Sequence, residues 1–182
     1  MSEEMIIRHC SPTLAGIKTG NLFSCSYNSK KRMTEEVRQL NRKLVSKGLC
    51  IIPIYLSDER VLIYMYRPQK LRKDFSDKEA QKILEDRGYF CQNTALSIKK
   101  LIERIHHSSE FPHEIGLFLG YPAEDVRGFM ERRPCCKCTG CWKVYGDEKA
   151  AQKLFDQYRK CTDIYCARWK RHEPLEQLAV IG

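Results

Sequence analysis

Long apolar runs are missing from this chain of 182 residues. The longest, Leu49 to Leu56 with Pro53 inside it, is far too short to cross a bilayer. The N-terminal stretch Met1-Ser2-Glu3-Glu4-Met5 is acidic and carries no apolar core of a signal peptide. No internal repeat or low-complexity segment is visible, and 7 prolines with 10 glycines are too few for a collagen-like or linker-like chain. What remains is ordinary globular composition, 42% hydrophobic and 30% charged. These features lead to the expectation of a cytoplasmic protein folded as one domain over residues 1–182.

The net charge is +9, and the excess sits at the two ends of the chain. Residues 49–132 carry 13 basic and 13 acidic side chains and balance. A basic excess attracts anions, so an anionic ligand or an acidic protein surface is a candidate partner, beside the plainer reading of a solvated cationic surface.

Turns and period divide the chain. Ser11-Pro12 reads as the start of a helix running towards Gly20, with serine as cap and proline in the first turn. Thr34 to Lys47 has helical period through Val37, Leu40, Leu44 and Val45. Leu49–Leu56 and Val61–Tyr66 are β-rich and flank Ser57-Asp58-Glu59-Arg60, which makes them a hairpin. Further helices are expected at Asp77 to Arg87, Thr94 to His107, Pro112 to Leu119, Pro122 to Arg132 and Asp147 to Arg171, with a short strand at Trp142 to Tyr145. The order predicts an α+β fold, a small and mainly antiparallel sheet with about six or seven helices.

Ten cysteines are many for a chain with no export signal, and six fall between Cys135 and Cys166. In a reducing compartment they are thiols, metal ligands or redox groups. Cys135-x-x-Cys138-x-x-Cys141 matches the first three ligands of a ferredoxin-type run, but the fourth position is Tyr145. Zinc or an iron–sulfur cluster is therefore a candidate cofactor, with Cys135, Cys138, Cys141 and Cys161 as the ligand set. Cys161 also lies on the stripe of Leu154, Tyr158 and Tyr165, which is core spacing. A redox thiol group and an incidental cysteine-rich loop are the alternatives.

Two histidine motifs carry the other candidate chemistry. His9-Cys10-Ser11-Pro12 places a thiol ahead of the expected helix start, where free amides favour thiolate. Phe111-Pro112-His113-Glu114 supplies an imidazole and a carboxylate. Brought together, Cys10 as nucleophile, His113 as base and Glu114 as orienter would make a cysteine-dependent enzyme. Beside this stand the structural readings of a surface histidine and a helix-end glutamate.

Glu114 to Val126 has the spacing of a helix-turn-helix, with Gly116 four before the turn glycine Gly120 and Val126 six after it. From Glu110 to Arg132 there are 5 acidic and 2 basic residues, a balance that repels a duplex. A packed helical hairpin without DNA binding is the expectation for 112–132.

His9 to Gly16, Phe111 to Gly116 with Gly120-Tyr121-Pro122, and Trp142-Lys143-Val144-Tyr145 together resemble a bacterial family of unknown function, domain of unknown function thirty-seven ninety-three. The resemblance spans nearly the whole chain. It implies a single-domain cytoplasmic protein and brings no activity, cofactor or catalytic residue with it. The favoured expectation is a small-ligand or partner-binding, regulatory protein with its site near the two histidine motifs. A Cys10 enzyme and a redox or metal-binding accessory protein are the alternatives.

Overall fold

The computed structural model describes every residue except Met1 and Ser109, so Met1 of the N-terminal stretch lies outside the described residues. The α+β class holds: among the described residues there are nine helices, a three-stranded antiparallel sheet and a two-stranded one. No described helix is long and apolar enough to cross a membrane. The expectation of one domain over residues 1–182 meets a chain that sorts into two compact units. Residues 1–69 with 158–182 form the first, and residues 70–157 the second.

The first unit is built on the sheet β1 (Gly20–Ser26), β2 (Cys50–Leu56) and β3 (Arg60–Tyr66), with β3 in the middle. The hairpin is where the β-rich runs place it. Pro53 lies on the edge strand β2, beside a register shift between Pro53 and Tyr55. That is where a residue without an N–H is tolerated. Strand β1 pairs with β3 in full register from Gly20–Tyr66 to Ser26–Arg60.

Helix α1 (Glu3–Leu14) corrects the expected helix start at Ser11-Pro12. Its N-cap is Ser2, whose side chain accepts from the Met5 amide, and Glu3 and Glu4 favour the positive helix end. Ile6, Ile7, Cys10 and Leu14 form its buried stripe. Pro12 sits in the last turn, and the Ser11 hydroxyl donates back to the Ile7 carbonyl rather than capping a new helix. Helix α2 (Lys30–Leu44), capped by Ser29, buries Met33, Val37, Leu40 and Leu44. A 3-10 turn at Val45–Lys47 ends at Gly48, whose φ of 74° is the left-handed conformation glycine adopts freely. These stripes join Phe23, Ile51, Val61, Ile63, Met65, Tyr165, Leu175 and Leu178 in one core. Each such fully buried large aliphatic contributes about 1.5–3 kcal/mol.

Helix α3 (Pro68–Asp74) leads into the second unit. There follow α4 (Lys78–Glu85), α5 (Thr94–His107), α6 (Ile115–Phe118), α7 (Ala123–Met130), β4 (Cys138–Thr139) and β5 (Lys143–Val144). Helix α5 has the boundaries its period predicts, with Asn93 as cap. Phe118 is the aromatic centre, edge-on to Phe75 at 5.0 Å and tilted against Tyr89 at 5.6 Å. The short strand expected at 142–145 does form, but it pairs with Cys138–Thr139 rather than with the hairpin. The long α8 (Glu148–Lys170) has residues 148–157 in this unit and 158–170 in the first. Helix α9 (Leu175–Leu178) follows in the first unit.

Helices α6 and α7 form the packed hairpin. Gly120 turns the chain at φ 76°, and a Cβ on Gly116 would come within 2.8 Å of Val126 Cγ2. Helix α6 is a single turn of four residues. Asp125, one of the five acidic residues counted against a duplex, is buried rather than facing solvent.

Candidate functional site

The loop Phe111-Pro112-His113-Glu114 enters α6 through a tight turn, with the Gly116 amide donating to the His113 carbonyl at 3.2 Å. That turn sends the two side chains to different places. Glu114 is buried, accepting from the Tyr89 hydroxyl at 2.8 Å and pairing with Arg104 at 2.7 Å. Burial and the Glu114 carboxylate together push the Tyr89 phenol up from its ordinary value. Glu114 is thus committed to Tyr89 and Arg104 rather than to orienting His113. The His113 imidazole is exposed and meets the Phe129 ring edge-on at 4.9 Å.

His113 stands on the wall of an aromatic cleft of about 230 Å³. Trp142 lines it and is stacked on Tyr121 with centroids 4.6 Å apart. Behind the tryptophan, Phe155 packs edge-on at 4.6 Å. Phe111, Ile115, Gly116, Val126 and Phe129 supply the rest of the apolar lining. Lys143 also lines the cleft and holds its ammonium 5.6 Å from the centre of the Phe129 ring.

The position of Trp142 is fixed by Asp125. Its carboxylate accepts from the Trp142 indole N–H at 2.7 Å, and from the Tyr145 and Gly146 amides at 2.6 and 2.8 Å. One buried side chain on α7 therefore anchors both ends of β5. Buried polar groups satisfied this fully rigidify what they hold. The signal in the sequence is the acidic first turn of α7 followed seventeen residues later by Trp142, which no spacing rule connects.

A second and smaller cleft, about 130 Å³, adjoins on the side of the loop. Phe111 and His113 line both clefts. The second is polar, with Arg87, Arg104 and Arg132 set against Glu110 and Glu114. None of the three arginines is marked out by a motif.

The other expected site residues are placed as follows. Cys10 lies in the first unit and His113 and Glu114 in the second. Cys10 is fully buried in the interior of α1, well away from its N-terminus, and burial pushes its thiol far up, with Lys18 opposing. The premise of a helix end favouring its thiolate therefore does not hold. His9 stacks on Phe23 at 5.6 Å. Cys135 and Cys141 are exposed, Cys136 and Cys138 half-buried, and Cys141 lines the aromatic cleft. Among the described residues no three His, Cys, Asp or Glu side chains are grouped to hold a metal ion. Cys161 falls in the other unit, half-buried beside the core, and burial pushes its thiol up to about 11.

No curated protein and no solved structure matches the chain. A family model does match, over residues 6–179, and it is described as a protein of unknown function (DUF3793). Since the match takes in both units with the cleft and its anchors, the chain belongs to this family.

Proposed function

We propose that this protein is a small-molecule binding protein, and that its ligand is an apolar or aromatic molecule held in the cleft between Trp142, Phe129 and His113. One observation carries the reading: an aromatic cavity with Trp142 in its wall, held in place by the buried Asp125 carboxylate. Apolar pockets with a few well-placed polar groups are the usual form of a ligand site, and this one has His113, Asp125 and Lys143 in its lining. At about 230 Å³ it is smaller than the ~300–1,000 Å³ of drug-sized sites. A ligand of one or two rings suits it. The lining is mainly aromatic and apolar, so binding or regulation fits it better than catalysis.

The chain has two tryptophans, Trp142 and Trp169, which gives a direct test. Neutral 2-naphthamide is titrated into the ¹⁵N-labelled protein and the two indole N–H resonances are followed. Saturable movement of the Trp142 signal, with Trp169 still, supports the reading. The Phe129→Ala variant should weaken that binding about tenfold, the value of one lost aromatic contact of roughly 1.4 kcal/mol. A Trp142 signal that stays in place at millimolar probe overturns it.

A further inference from the structure

Resting on that reading, we propose that the ligand is a small aromatic monocarboxylate, with its ring against Trp142 and its carboxylate among Arg87, Arg104 and Arg132. The geometric ground is that the aromatic and arginine-lined clefts share Phe111 and His113 as walls. A molecule a little longer than one ring, laid across that shared wall, would meet an apolar surface at one end and a cationic one at the other.

The charge of the second cleft sets the class of anion. Arg104 is 2.7 Å from the buried Glu114 and so spends its charge inside the protein. Arg132 is 3.4 Å from Glu110, but both side chains are largely exposed, at 80% and 70%, so that contact is weak and exchangeable. Arg87 has no acidic partner among the described residues. Three guanidiniums against two carboxylates leave one positive charge, and a monoanion balances it. A phosphate monoester, close to doubly charged at neutral pH, would leave the cleft with net negative charge.

The backbone adds a second reason. Arg132 ends the turn after α7 at φ 53°, the left-handed region that glycine or asparagine usually occupies. Its amide donates to the Phe129 carbonyl, which ties this turn to a residue of the aromatic wall. Holding a long cationic side chain in that conformation costs about 1 kcal/mol. The position places a guanidinium at the cleft where the commoner residues would leave none. Arginine also matches a carboxylate with two parallel N–H bonds, a geometry lysine lacks.

Calorimetry with 2-naphthoate and its neutral isostere 2-naphthamide tests this on the full chain, with 2-naphthyl phosphate as a third probe. Arg87→Gln and Arg132→Gln alter exposed side chains, so both variants should fold. The expected result is naphthoate binding about tenfold or more tighter than naphthamide, the effect of one charge-assisted hydrogen bond. That gap should shrink to about threefold or less in Arg87→Gln, and it should narrow with added salt. Equal affinities for naphthoate and naphthamide, with the Trp142 resonance moving, would overturn the carboxylate assignment and leave the aromatic cleft intact. The same holds for a gap that persists in both variants, or for naphthyl phosphate binding tenfold tighter than naphthoate. Failure of all three probes to move Trp142 would overturn the cleft reading and this inference together.

Discussion

Trp142 donates its indole N–H to the buried Asp125 carboxylate at 2.7 Å, and the same carboxylate takes the amides of Tyr145 and Gly146. The partner strand β4 is only two residues long and β5 no longer, so the ladder itself contributes little. Side-chain bonds to one acidic residue do what a longer sheet would do elsewhere. The cleft wall is consequently as firm as α7, on which Asp125 sits.

Removing that anchor should loosen the site before it unfolds the rest. Asp125→Ala leaves three buried or half-buried donors unpaired and should cost about 3 kcal/mol or more. Asp125→Asn keeps an acceptor and should cost roughly half as much. Near-ultraviolet circular dichroism and the Trp142 indole resonance report the local change, and urea unfolding reports the stability. An Asp125→Ala protein with an unmoved Trp142 resonance would show that packing against Tyr121 and Phe155 suffices.

Arg67 plays the corresponding part in the first unit. It is 2% exposed, yet its described partners are backbone carbonyls: Thr13 at 2.7 Å, Leu14 at 2.8 Å, Val180 at 2.7 Å and Lys47 at 3.1 Å. Two of these belong to the last turn of α1, where the negative end of the helix dipole favours a cation. Arg67→Met should therefore lose about 3 kcal/mol or more, because it removes four hydrogen bonds from a charged donor. Arg67→Lys should recover only part of this, since an ammonium cannot fan out to four carbonyls. Urea midpoints for both variants within error of the parent would contradict this account.

Much of the architecture was legible because period and punctuation agreed. The hairpin flanking Ser57-Asp58-Glu59-Arg60 and helix α5 from Thr94 to His107 are found where local signals place them. Strand β1 was not legible. Its only buried residues are Gly20, Phe23 and Cys25, and its serines and asparagine look like loop; pairing along the whole of β3 overrides that composition. Ser11-Pro12 misled in the opposite sense, because a proline is tolerated in the last turn of a helix that tertiary burial already holds. At the site, His113 and Trp142 were each legible as members of motifs. Their shared cleft was not, since it depends on Asp125 crossing from α7 to β5. Arg87 lies in the turn after α4 and Arg104 on α5, and no spacing rule brings them together.

Burial ranks the thiols in an order the local sequence does not suggest. Cys135 and Cys141 are exposed, whereas Cys10, Cys25 and Cys91 are buried. A short iodoacetamide pulse at neutral pH, read by mass spectrometry, should label Cys135 and Cys141 first. Cys10 should lag by about a hundredfold or more, since it reacts only when α1 opens. Bound 2-naphthoate should slow Cys141, which lines the cleft, and leave Cys135 unchanged. Rapid labelling of Cys10 in the native protein would mean that its helix opens readily and that its buried position is not the resting one.

The same buried groups set the response to alkali. Desolvation raises the Cys10 and Cys161 thiols above their ordinary 9.0, Cys161 to about 11, and it raises the Tyr66 and Tyr89 phenols above 10.0. Below about pH 8 each group is neutral in both folded and unfolded chains, and pH has no leverage through it. Above pH 9 the unfolded chain gives up thiol protons that the folded chain retains. The unfolded state then binds fewer protons, so stability falls as pH rises, by at most about 1.4 kcal/mol per pH unit for each group in its window. Urea midpoints measured under reducing conditions should be flat from pH 7 to 8.5 and drop steadily from pH 9 to 11. Cys10→Ala should start slightly lower at neutral pH and lose less over the alkaline range, because its thiol is the most completely buried of the set. A parallel decline in parent and variant would place the alkaline sensitivity in the tyrosines instead, and Tyr89→Phe would then be the variant that flattens it.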